Sequence, residues 1–153
     1  MMRSSLLSLL ALTACGGTDA GSMHVALRVH QAINCDNGIA GLQAELQVAG
    51  RTGNCPLDVA EDRSISGFCP AIPTGRPVQI RLAYFIDLDP DTRVTLAVAN
   101  QDIDLTTPSD TVVVVSFPDS AVMYSDLDQF DDDTDRISNL EEVCNGTDPR
   151  VHN

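Results

Sequence analysis

The sequence predicts a mainly β fold: a small antiparallel β-sandwich over residues 23–118, followed by an acidic loop and one short helix. Three observations predict it. Apolar and polar residues alternate in several separate stretches, the period of a half-buried strand. Turn-forming clusters divide those stretches, at Asn37-Gly38, Gly50 to Asn54, Pro73 to Gly75, Asp89 to Asp91 and Thr107 to Asp110. Acids then recur at alternate positions near the C-terminus, where the strand pattern has stopped.

The elements follow in order. MHVALRVHQ places Val25, Leu27 and Val29 on one face, with His24, Arg28 and His30 on the other. LQAELQV repeats the alternation at Leu42, Ala44, Leu46 and Val48. PVQIRLAYFI turns Val78, Ile80, Leu82, Tyr84 and Ile86 inward, and RVTLAVA does the same with Val94, Leu96 and Val98. DTVVVVSF carries a continuous apolar run, Val112 to Val115, as a strand covered on both faces does. Six or seven short strands in this arrangement predict a sandwich. Residues 119–130 read as a linker with a few apolar anchors, and the closing TDPRVHN as a frayed end.

One stretch adds a resemblance. SISGFCPAIPTGRPVQIRLAYF, Ser64 to Phe85, resembles the signature of prealbumin-like domains, a sandwich class close in architecture to immunoglobulin-like domains. Phe68, Pro73 and Gly75 fill its recurring positions, and Pro77 departs from it. The resemblance implies that a strand ends at the Pro-Gly turn and that the next strand forms a hairpin beside it. It implies no ligand, because such modules serve mostly as spacers and adhesion scaffolds.

The start of the chain is a different kind of segment. MMRSSLLSLLALTAC has one charge, Arg3, then an apolar run from Leu6 to Leu12 that is too short to span a bilayer. Its ending, LTAC, resembles a bacterial lipobox. The resemblance implies a signal peptide over 1–14, cleavage before Cys15, and diacylation of Cys15 as the attachment to the lipid bilayer. Residues 15–22, CGGTDAGS, read as a flexible tether. Gly16 after the cysteine, where an Asp would retain the protein, points by the same resemblance to the outer membrane. An ordinary secretory peptide cut near Ala14 is the alternative.

Four further cysteines, Cys35, Cys55, Cys69 and Cys144, read in an exported chain as two disulfides with three connectivities open. Cys55 and Cys69 flank one turn-rich segment, which favours pairing them and leaves Cys35 to pin the C-terminal segment through Cys144. The chain has nine arginines, no lysine and twenty-two acids, a net charge of −13. Ten of those acids and two arginines lie between Asp119 and Arg150. Such a surface repels nucleic acid and suits cations.

DDDTDRISNLEE, Asp131 to Glu142, has the spacing of a single-loop cage for a hard cation. With Asp131 first, Asp133 and Asp135 fall at positions three and five, and the Ile137 carbonyl at seven. Asn139 stands at nine and Glu142, a bidentate candidate, at twelve. The pattern matches D-x-[DN]-x-[DN]-G-x₅-E except at position six, where Arg136 replaces glycine. That position takes φ > 0, which costs a non-glycine residue about 1–2 kcal/mol. ISNLEEVCNGTDP, Ile137 to Pro149, resembles the bacterial thrombospondin type 3 repeat over residues 131–149. The resemblance implies calcium as cofactor, ligated by Asp131, Asp133, Asp135, Ile137, Asn139 and Glu142, with Asp126 and Asp128 lending charge from further out. Ser138 with Glu141 forms a capping box, so a helix starts there, and Gly146 stops it.

Other candidates are weaker. Asp87 to Asp91 alternates acids, but Val98 occupies its position twelve, so a hairpin turn explains it. His24 and His30 are ~20 Å apart at strand rise and cannot share a metal. No serine sits in a GxSxG elbow, and no histidine accompanies a cysteine nucleophile. Asn145-Gly146-Thr147 is a sequon on paper, discounted beside a bacterial lipobox. The expectation is an exported, lipid-anchored structural or adhesive module, not an enzyme, with room for a protein partner at the cell surface. The alternative is a ligand-binding sandwich with a solvated acidic tail. Six aromatics and no tryptophan argue against a sugar-stacking site in it.

Overall fold

A computed structural model describes residues 20–73, 75–104, 111–113, 122–123 and 130–152. The signal segment, Cys15, Val114, Val115, Asp126 and Asp128 lie outside the described residues. The elements are β1 (Ala20–Arg28), β2 (Gln43–Val48), β3 (Cys55–Val59), β4 (Ser64–Pro73), β5 (Pro77–Asp89), β6 (Thr92–Asp104), β7 (Thr111–Val113), β8 (Val122–Met123) and α1 (Asn139–Asn145). The fold is mainly β, as expected. β1 begins at Ala20, inside the stretch read as tether, and β8 lies inside the stretch read as linker.

The strands form one hydrogen-bonded sheet in the order β7-β1-β4-β3-β2-β5-β6-β8. Where a sandwich was expected, the two layers are therefore the arms of a single sheet. β3 joins them. Its first residues pair with β2, Leu46 opposite Cys55, and its last pair with β4, Val59 opposite Ile65. Side chains of both arms, among them Met23, Ile65, Leu46, Ile80 and Leu82, are 0–1% exposed and share one core cluster. A seven-residue helix cannot cover so many positions, so the arms cover each other. Tyr84 on β5 helps to close them, its hydroxyl accepting the His30 N–H at 3.3 Å from beyond the end of β1.

Apolar alternation built most of this core. Val25, Leu27 and Val29, then Ala44, Leu46 and Val48, then Val78, Ile80, Leu82, Tyr84 and Ile86 are all buried in it. Val98 is the exception. Tyr84 pairs with Ala97 but Phe85 pairs with Thr95, so Leu96 is an extra residue, a β-bulge. One extra residue inverts the alternation beyond it. Ala97 and Ala99 then face the main core, and Val98 faces outward, where it packs with Ala83 and Phe130.

The Pro-Gly connection also differs from the expectation. β5 is not a hairpin partner of β4; it pairs with β2 and β6, while β4 pairs with β1 and β3. The turn at Gly75 (φ 77°) carries the chain from one arm to the other. The disulfides are Cys55–Cys69, which ties β3 to β4, and Cys35–Cys144, which ties α1 to the loop after β1.

Candidate metal centre

The acidic loop is shaped by its own carboxylates. Asp131 accepts the Thr134 N–H at 2.7 Å on Oδ1 and the Arg136 N–H at 2.9 Å on Oδ2. Asp133 Oδ1 accepts the Asp135 N–H at 3.1 Å, and Asp135 Oδ1 accepts the Ile137 N–H at 2.8 Å. Short acids replace the backbone partners that a strand or helix would have supplied. The turns need two residues in the left-handed region, Thr134 (φ 66°) and Arg136 (φ 77°). Arg136 thus sits in the conformation that favours glycine, as its register demands, with its side chain exposed.

The result is a convergence of carboxylates. Asp131, Asp133 and Asp135 each present an oxygen within 4.8 Å of the others. Asp133 Oδ2 is buried and has no hydrogen-bond partner among the described residues. Glu142, on α1, is 0% exposed and stands outside this trio, but near enough to feel its charge. Burial raises its pKa above the ordinary 4.5, and the charges of Asp133, Asp135 and Asp131 raise it further, in that order. Those causes are what a cluster of acids produces when nothing positive stands among them.

α1 positions Glu142. Ser138 Oγ accepts the Glu141 N–H at 3.3 Å, and Gly146 (φ 77°) ends the helix, its N–H turned back to the Glu142 and Val143 carbonyls. The GTDP segment continues this closure and is not frayed. Thr147 donates to the Glu142 carbonyl from its N–H and its hydroxyl, at 2.9 and 3.2 Å. Arg150 pairs with Asp148 at 3.2 Å and reaches Asp89 on the β5–β6 hairpin at 3.4 Å. The same contacts lower the pKa of Asp148, the Arg150 hydrogen bond most.

Asn139 is placed differently from the ligand expected at position nine. Its side chain is 0% exposed and braces the loop. Oδ1 accepts the Asp132 N–H at 2.9 Å, while Nδ2 donates to Asp132 Oδ1 at 3.1 Å and to the Thr95 carbonyl of β6 at 2.9 Å. Phe130, just before the loop, packs against Ala83 and Val98, and Leu140, near its end, enters the main core. The loop is therefore clamped at both ends. Sequence reasoning missed this brace; a buried amide inside an acidic loop was its only signal.

The remaining candidates stay apart. Asp89 Oδ1 accepts the Asp91 N–H at 3.0 Å in the hairpin turn, and Asp87 pairs with Arg93 at 3.4 Å. The His24 ring packs on Phe68 with centroids 4.8 Å apart, whereas His30 Nδ1 accepts the Ala32 N–H at 3.1 Å. No helix among the described residues is long and apolar enough to cross a membrane. No known family model matches the chain, and no curated protein matches its sequence.

The donor set fits a hard cation. Every side chain in it offers oxygen, as calcium and magnesium require, and neither thiolate nor imidazole is near. Asp131, Asp133 and Asp135 would hold such an ion, and its charge would offset their mutual repulsion and the repulsion they exert on Glu142.

Proposed function

We propose that the chain is an exported structural or adhesive module, attached to the outer membrane by acylated Cys15, whose loop 131–142 binds calcium. The observation that carries this reading is the convergence of Asp131, Asp133 and Asp135 beside Glu142, a fully buried acid whose carboxyl feels their charge. A solvated tail would leave that carboxylate in water. Calcium suits the site better than magnesium, because it accepts six to eight oxygens in irregular geometry and takes a bidentate glutamate. The Ile137 carbonyl and solvent would complete its shell.

The ion's role is in folding. Bound calcium would favour the arrangement in which α1, Phe130 and Leu140 dock against the sheet, since a ligand that binds only the folded form stabilises it. Two disulfides suit a non-reducing compartment. Proteolysis of whole cells with and without calcium tests localisation and metal dependence together. The reading expects cleavage within 119–152 only when calcium is chelated. Equal cleavage in both conditions would count against the folding role. Release of the protein from the membrane fraction by Cys15→Ser is expected as well.

A further inference from the structure

The two disulfides differ in burial and in what they join. Cys55 and Cys69 are 1% and 0% exposed and belong to the main core cluster, between two neighbouring strands. Cys35–Cys144 lies at the margin of the molecule. Cys35 is 7% exposed and Cys144 is half-buried, and a groove of about 570 Å³ opens beside Cys35, lined also by Ile33, Ile39, Leu42 and Arg63. Of the four disulfide cysteines, Cys144 is the one left partly open to solvent.

What the marginal bond holds is a strap, residues 130–152. Apart from it, the strap is fastened by the Phe130 and Leu140 contacts, by Asn139 to Thr95, and by the exposed pair of Arg150 with Asp89. Cys144 also stands two residues after Glu142 on the same helix. Whatever fixes one of these side chains limits the freedom of the other.

We propose that Cys35–Cys144 is a thiol-cleavable clasp on the C-terminal strap, while Cys55–Cys69 is a permanent staple of the sheet. The reductant is a low-molecular-weight thiol. Its thiolate attacks Cys144 Sγ, the sulfur–sulfur bond breaks, and Cys35 leaves as the thiolate. A second thiol resolves the mixed disulfide, so two thiols are oxidised to one external disulfide and the two cysteines are reduced. The strap then undocks with the sheet intact. Coupling of the clasp to the cation rests on the calcium reading of the loop: because binding free energies are reciprocal, calcium must oppose reduction by the factor by which the closed clasp favours calcium.

The test is native-state reduction of residues 16–153, which keep all of β1, by graded glutathione. Thiol alkylation and peptide mass spectrometry follow each disulfide separately, and circular dichroism monitors the sheet. The expected result is reduction of Cys35–Cys144 at least tenfold faster than Cys55–Cys69. The β spectrum should be retained, and protease cleavage within 130–152 should become faster than in the oxidised chain under the same conditions. Reduction of both bonds at one rate, or loss of the β spectrum as Cys35–Cys144 opens, would overturn the clasp. The double variant Cys35→Ser with Cys144→Ser should show the same cleavage without reductant; a protected strap in a folded variant would also overturn it. Repetition in millimolar calcium separates the two readings. Slower opening supports the coupling, whereas unchanged selective opening keeps the clasp and removes the cation from it.

Discussion

Arg136 carries the clearest consequence at the scale of one residue. Its φ of 77° is the conformation that the loop pattern asks of its sixth position. Arg136→Gly should relieve about 1–2 kcal/mol of strain and remove a positive charge, which predicts roughly tenfold tighter calcium binding in a titration. Asn139 offers a sharper discrimination. If it were a ligand, Asn139→Asp would add a charge and tighten binding. As a brace it loses the donor to the part-buried Thr95 carbonyl, at about 1 kcal/mol, so the account predicts weaker binding and a lower melting temperature. The convergence of Asp131, Asp133 and Asp135 was legible in the sequence, because acids at alternate positions can turn back on the loop's own N–H groups. The hold of Asn139 on β6 was not legible, because ligand spacing is a local pattern, whereas its partner Thr95 lies 44 residues away in the chain.

At the scale of elements, periodicity located β1, β2, β5 and β6, and the caps located α1. β3 escaped because it is five residues long with a proline in second place, which reads against a strand. The hairpin expected after Gly75 failed for a related reason: strand pairing is set by the whole sheet, and β3 and β2 intervene between β4 and β5. Gly67 reports on that crowding. A Cβ there would lie 2.5 Å from Leu57 Cδ2 and 3.1 Å from the Pro56 carbonyl, so β4 can approach β3 only without a side chain. Gly67→Ala should therefore destabilise the fold by about 1–3 kcal/mol, read as a lower urea midpoint with an unchanged slope.

For the whole molecule, the buried acids set the balance between sheet and strap. Glu142 has its folded pKa raised, so its contribution to stability is complete below about pH 4.5 and is lost as pH rises through its folded value. In the absence of calcium, Glu142→Gln should therefore melt higher than the native chain at pH 7, and this difference should vanish in acid. Calcium should reverse the order, since it stabilises only the chain that keeps the carboxylate. Denaturation curves from pH 4 to pH 8, with chelator and with calcium, would reveal the crossover.

That dependence on one carboxylate is measured most directly by isothermal titration of calcium into purified residues 16–153 and into their Glu142→Gln form. The account predicts one site in the native chain, with a dissociation constant of about 10⁻⁴–10⁻³ M as in extracellular modules, and at least a tenfold loss in the variant. A native chain that gives no calcium heat, or a site that Glu142→Gln leaves unchanged, would contradict it.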